Sequence, residues 1–140
     1  MSDDHDRVQR MVRLAAPAEE VWAEIGGFLS IAGWHPLIVK AEPAEIEGET
    51  YRHLTMEDGE IFFERLTGTG PHRLVYEVVE GPLPATDYRA TLSCVAEGEG
   101  GCHVHWSACF SPVEGAERIA DEIVGKFYEI GLEALSERFG

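Results

Sequence analysis

The residues best suited to chemistry sit in two short segments, Tyr51-Arg52-His53-Leu54 and Phe62-Phe63-Glu64-Arg65, separated by Asp58-Gly59. A two-residue turn there sets His53 opposite Glu64. A three-residue loop, Glu57-Asp58-Gly59 with Gly59 in the left-handed region, sets Arg52 opposite Glu64 and Leu54 opposite Phe62. The second register gathers Leu54, Met56, Phe62 and Leu66 on one face and gives the carboxylate a cation, so it is the register expected. Beside Arg52, Glu64 is an anion that anchors or orients a ligand. Without the guanidinium, desolvation would raise its pKa and make it a proton carrier near neutrality. His35, between Trp34 and Pro36, is a second candidate for proton transfer, and Tyr76 and Tyr88 could present hydroxyls. Each has a plainer role as well: a pair that satisfies itself, a loop histidine packed on Trp34, aromatic rings that are core.

Other groupings carry less chemistry. His103-x-His105 puts two imidazoles on one strand face with Cys109 further along, but strand alternation explains that spacing, and no metal site is expected. Cys94, Cys102 and Cys109 are an odd number without CxxC spacing, which suits reduced thiols. The start, Met1-Ser2-Asp3-Asp4-His5-Asp6, lacks the basic and apolar stretches of a secretory signal, so a cytoplasmic protein is expected. The Gly98 to Gly101 run reads as a hairpin turn, since no strand-loop-helix context or Lys-Ser/Thr makes it a phosphate cradle. GxSxG, HExxH and CxxC are absent, and no cofactor is expected.

These side chains need a frame to hold them. The chain has 140 residues, of which 44% are hydrophobic, enough for one domain spanning residues 1–140 with a core of its own. Eleven Lys+Arg against 26 Asp+Glu leave a formal charge of −15, which repels phosphate backbones and anionic headgroups. Nucleic acid is therefore not an expected partner. Nor is membrane insertion, because no apolar run approaches the ~18 residues that a span requires.

Val8 to Leu14 alternates as a half-buried strand does. Pro17, Glu19 and Glu20 start a helix with Val21, Trp22, Ile25 and Phe28 on its apolar stripe, Gly26-Gly27 ends it, and Ser30 to Gly33 forms one further turn. Leu37 to Pro112 reads as six strands separated by turn signals at Glu47-Gly48, Asp58-Gly59, Gly68 to Pro71, Gly81 to Pro84 and Gly98 to Gly101. Ala116 to Phe139 reads as one long helix with Ile119, Ile123, Phe127, Ile130 and Ala134 toward the core. Gly125 and Gly131 each cost that helix about 1 kcal/mol, a sign of close packing or a bend. Alternation turns Cys102, Val104, Trp106, Ala108 and Phe110 inward, with Tyr88, Ala90, Leu92 and Cys94, and with Leu74, Tyr76 and Val78. Strand, helix pair, six antiparallel strands and a long helix make an α+β architecture.

Ala16-Pro17-Ala18-Glu19-Glu20-Val21-Trp22, Gly33-Trp34-His35-Pro36, Asp58-Gly59 followed by Glu64-Arg65-Leu66, Pro84 to Tyr88, and Val104-His105-Trp106-Ser107 carry a resemblance in their order and spacing. From about Val8 to Leu135 the chain resembles the START-like SRPBCC superfamily, which includes polyketide cyclase/dehydrase and lipid-transport-like proteins, birch-pollen-allergen-like proteins and the abscisic-acid receptors. The resemblance implies a helix-grip fold, a seven-stranded antiparallel sheet curved around the C-terminal helix with two short helices after the first strand. It also implies an internal hydrophobic cavity. In the hormone receptors two loops close over the cavity, and here those match Glu57 to Glu60 and Gly81 to Thr86.

The function implied is binding or carrying a small hydrophobic or aromatic molecule, with His35, Arg52, Leu54, Phe62, Glu64, Tyr76, Tyr88, Trp106, Ile123 and Phe127 as the expected ligand-binding set. One alternative is a cyclase/dehydrase-like enzyme in which His35, Glu64 or Tyr88 moves protons. Another is a protein-interaction domain whose cavity is filled. Since Phe62, Phe63, Tyr76, Tyr88, Trp106 and Phe127 are bulky, a small or slot-like cavity is expected.

Overall fold

The computed structural model describes residues 6–140, and the acidic start, residues 1–5, lies outside the described residues. In chain order the elements are β1 (Val8–Leu14), α1 (Ala18–Ile25), α2 (Ile31–Trp34), β2 (Ile38–Ile46), β3 (Glu49–Met56), β4 (Ile61–Gly70), β5 (Arg73–Glu80), β6 (Ala85–Glu97), β7 (Gly101–Pro112) and α3 (Glu117–Phe139). The strands form one antiparallel sheet in the order β1-β7-β6-β5-β4-β3-β2. Hairpins join β2 through β7, and β1 closes against β7, so the two short helices carry the chain from one sheet edge to the other. Register shifts at Ile38/Lys40, Phe63/Glu64, Leu66/Gly68 and Thr86/Arg89 are the irregularities that bend strands and let the sheet curl.

The β3–β4 hairpin takes the three-residue loop. Arg52 pairs with Glu64 and Leu54 with Phe62, while Met56 N–H donates to the Glu60 carbonyl and Gly59 sits at φ +91. The β4–β5 turn falls at Pro71-His72, with Gly68 and Gly70 still inside β4. Phe28 lies beyond α1, which ends at Ile25 with Gly26 as its cap, so it belongs to the linker and not to the helical stripe. β2 is the second sheet edge and carries Pro43, a residue that sheets tolerate at edges because it has no N–H to give.

α3 packs chiefly on β1, with further contact to β7 and α2. Its buried side is Ala120, Val124, Gly125, Tyr128, Gly131, Leu132 and Leu135. The face expected from sequence lies one residue further round: Ile119 is 56% and Ile123 43% exposed, and Phe127, Ile130 and Ala134 are half-buried. Two apolar stripes run side by side along this helix, so spacing alone does not choose between them. The glycines do, since they sit on the side that approaches the fold most closely. A Cβ at Gly131 would lie 2.5 Å from His35 Cδ2 and 3.0 Å from Trp106 Cζ3, and one at Gly125 would lie 2.5 Å from an Arg10 nitrogen.

Gly131→Ala is expected to destabilise the fold by about 2 kcal/mol in urea denaturation, because overpacking outweighs the gain in helix propensity. Gly33→Ala, where a Cβ meets nothing within 4 Å, is expected to be neutral or stabilising by up to about 1 kcal/mol. Equal effects at the two sites would refute close packing as the reason for Gly131.

Candidate functional site

Because α3 lies over the β1–β7 end, the β3–β4 half of the sheet faces it across a hollow of about 850 Å³. Leu54, Met56, Phe62 and Glu64 supply the sheet wall, Ile123, Val124 and Phe127 the helix wall, with Leu37 and Tyr88 between. Glu60 comes from the β3–β4 loop and the pair Pro82 and Leu83 from the β5–β6 loop, and charged Arg10, Glu122, Lys126 and Glu129 stand around the mouth. This is not the slot expected from the bulky side chains. Phe63 turns to the outer face, stacking on Tyr51 and His53 at 4.9 and 4.4 Å. The rings of Trp106 and Tyr128 stack at 4.3 Å and fill the space under the helix, leaving the hollow to one side.

At its base sits the Arg52–Glu64 pair. Arg52 is 1% exposed, and its Nε and Nη2 both reach Glu64 Oε1, at 2.8 and 2.7 Å. Its Nη1 donates to the Phe28 carbonyl, and the guanidinium lies over the rings of Phe28 and Tyr76 at 4.2 and 4.6 Å. Burial pushes the Glu64 carboxyl above its ordinary range, and Arg52 pulls it partly back. Alternation and the loop together place both groups on the inner face.

His35 is buried and pinned. Its Nδ1 accepts from the Leu37 N–H at 3.2 Å, which makes Nε2–H the donor to the Phe127 carbonyl at 2.8 Å. The ring stacks on Phe127 at 4.1 Å. Desolvation lowers its pKa to about 4, against a smaller opposing effect of the Phe127 hydrogen bond. It is thus neutral at pH 7 with both nitrogens occupied, and it stands behind the pocket wall.

Tyr76 accepts a hydrogen bond from Trp106 Nε1 at 3.0 Å, and the Tyr88 and Tyr128 hydroxyls bond to each other. Burial raises all three phenols above their ordinary value, so they keep their protons at neutral pH.

Of the expected set, the structure brings Leu54, Phe62, Glu64, Tyr88, Ile123 and Phe127 to the pocket wall and places His35, Arg52, Tyr76 and Trp106 behind it. Tyr128 lies on the helix stripe next to the one that spacing singles out, and the glycines at 125 and 131 are the sequence signal for its face. Arg10, Leu37, Leu83 and the mouth charges had no signal beyond the two matched loops and the alternation of β1. Cys94, Cys102 and Cys109 are free thiols. Among the described residues no three His, Cys, Asp or Glu gather as metal ligands, and no helix is long and apolar enough to cross a membrane.

A seven-stranded antiparallel sheet curved about one long helix, with a hollow on its open side, defines the helix-grip class. The family described as polyketide cyclase/dehydrase and lipid transport matches residues 5–140, and the chain belongs to it. Among solved structures it is similar to the protein XoxI from Bacillus cereus, at 31% identity and TM-score 0.87 over 94% of both chains. It is also similar to a Bacillus thuringiensis protein at 32% identity and TM-score 0.87, over 94% of this chain and 97% of that one. The Zhui aromatase/cyclase of a Streptomyces species shares the fold at 18% identity and TM-score 0.78, over 96% of this chain and 93% of that one. No curated protein sequence matches the chain.

Two outcomes follow for the buried polar groups. Glu64→Leu, which strands the guanidinium, is expected to cost about 3–5 kcal/mol, and the double change Arg52→Met/Glu64→Leu to recover most of it in chemical denaturation. For His35, the unfolded ring takes up its proton near 6.5 and the folded one only near 4. Stability due to the neutral ring is complete above the first value, drains as pH falls between them, and is spent below the second. Wild type should lose about 3 kcal/mol more than His35→Gln between neutral pH and pH 4; parallel curves would contradict the assignment.

Proposed function

We propose that this protein binds a small, mostly apolar molecule in the hollow between α3 and the β3–β4 half of the sheet. The observation that carries the reading is an open volume of about 850 Å³ walled by leucine, methionine, phenylalanine, isoleucine and valine, with a single buried carboxylate at its base. Pockets of about 300–1,000 Å³ with apolar walls and a few fixed polar groups are the usual small-molecule sites. Burying apolar ligand surface there supplies about 25 cal/mol per Å² of driving force. The size of the hollow favours this reading over an interaction domain with a filled cavity. Membership of a family described by both cyclase/dehydrase and lipid-transport activities agrees with it.

A second reading, proton-transfer catalysis on a bound chain, is favoured by one observation. Glu64 lines the pocket with its carboxyl pushed upward by burial, the condition in which a carboxylate exchanges protons closer to neutrality. Glu64 is the remaining candidate of the three proposed from sequence. His35 has both nitrogens engaged, and Tyr88 shares its hydroxyl with Tyr128. In either reading Glu64 is the group that the ligand's polar end meets.

Nile red, an uncharged apolar dye, is expected to bind at one site per chain, with its emission reporting affinity. Leu83→Trp, on the loop at the mouth, should weaken binding at least about tenfold while shifting Tm by no more than about 2 °C. Val39→Trp, at an exposed position outside the pocket, should leave affinity unchanged. A dye that fails to bind, or that binds equally well to both variants, would overturn the assignment of the pocket.

A further inference from the structure

We infer that the molecule held in this pocket ends, at its buried tip, in a hydrogen-bond donor such as a phenolic or alcoholic hydroxyl or an amine, and that ligands ending in a carboxylate are rejected. The inference rests on the apolar-ligand reading above and specifies its head group.

An arginine at the base of an apolar pocket would ordinarily suggest a carboxylate ligand, as a fatty acid would present. Here the geometry removes that option. Arg52 is 1% exposed, stands behind the wall, and has Nε and Nη2 on Glu64 and Nη1 on the Phe28 carbonyl. Its faces are covered by Phe28 and Tyr76. A ligand therefore meets Glu64, the polar partner on the wall. Both arginine contacts fall on Oε1, so Oε2 is the oxygen that the pair does not hold. The two Arg52 contacts favour the charged form of Glu64; a carboxylate oxygen only accepts, and a donor on the ligand satisfies it.

At the mouth, Glu60, Glu122 and Glu129 stand beside Arg10 and Lys126, with Arg10 bound to Glu129 at 2.9 Å and Arg118 to Glu122 at 3.4 Å, so the rim charges nearly balance. The like charge that an anionic head meets is Glu64 at the base, and building repulsion against the wrong ligand is how such sites discriminate.

Three probes of nearly equal shape test this by titration calorimetry on the intact protein at about pH 8, where both naphthoate and solvated carboxylates are ionised: 2-naphthol, naphthalene and 2-naphthoate. The expected order of affinity is naphthol, then naphthalene, then naphthoate, with naphthol at least about tenfold tighter than naphthoate. Glu64→Gln, which keeps the shape and removes the charge, should narrow that gap. The wild-type series stands by itself if the variant does not fold. Naphthoate binding as tightly as naphthol would overturn the head-group inference while leaving the apolar pocket intact. Failure of all three to bind would overturn the pocket reading and the inference with it.

Discussion

One helix cannot cover a seven-stranded sheet. A helix is about 10 Å across and strands lie about 4.8 Å apart, so a single rod shields about two strands. α3 spends that width on β1 and β7, α1 shields part of β6 and β7, and α2 contacts the start of β2. The inner faces of β3 and β4 are left without a helical partner. Curvature brings those strands round to look at α3 across open space instead of exposing them fully. The hollow is thus a consequence of the ratio of helix width to sheet width together with the side of the sheet on which α3 settles.

What keeps α3 on that side is local and specific. Gly131 lets the His35 ring reach the helix backbone, and the imidazole then joins the Leu37 amide to the Phe127 carbonyl. Trp106 stacks on Tyr128 beneath the same turns. On the far wall the Arg52–Glu64 pair binds β3 to β4 and, through the Phe28 carbonyl, to the linker after α1. Taking two charges out of water costs several kcal/mol for each ion, and the stacked rings and the carbonyl are the partners that offset it. Polar groups therefore brace both walls, while apolar side chains line the space between.

Much of this was legible in the chain. Alternation along β5, β6 and β7 sorted inner from outer side chains, and the Glu57-Asp58-Gly59 loop gave the register that opposes Arg52 to Glu64. These signals are short-range: a pleat repeats every two residues, and a left-handed glycine fixes loop length. The helix face was harder to read, because Ile119, Ile123 and Phe127 run beside Ala120, Val124 and Tyr128, and hydrophobicity does not separate adjacent stripes. His35 was harder still. Whether an imidazole stays on its loop or enters the core depends on a helix more than ninety residues away, and no local pattern encodes that distance. The volume of the hollow depends in the same way on where bulky rings finally lie, and Phe63 lies outside.

The outer edge at β2 decides how far the sheet extends. Pro43 takes one donor from that strand, the bulge between Ile38 and Lys40 breaks its flatness, and Lys40, Glu42 and Glu45 put charges along it. A flat, uncharged edge would invite another copy to add an eighth strand beside β2, next to the very half of the sheet that the helix leaves open. This edge is a poor template for polymerisation, and the strong negative charge of the whole chain opposes stacking of copies as well. Those features discourage strand addition at the border beside β3 and β4, where an unprotected sheet would be most open to it.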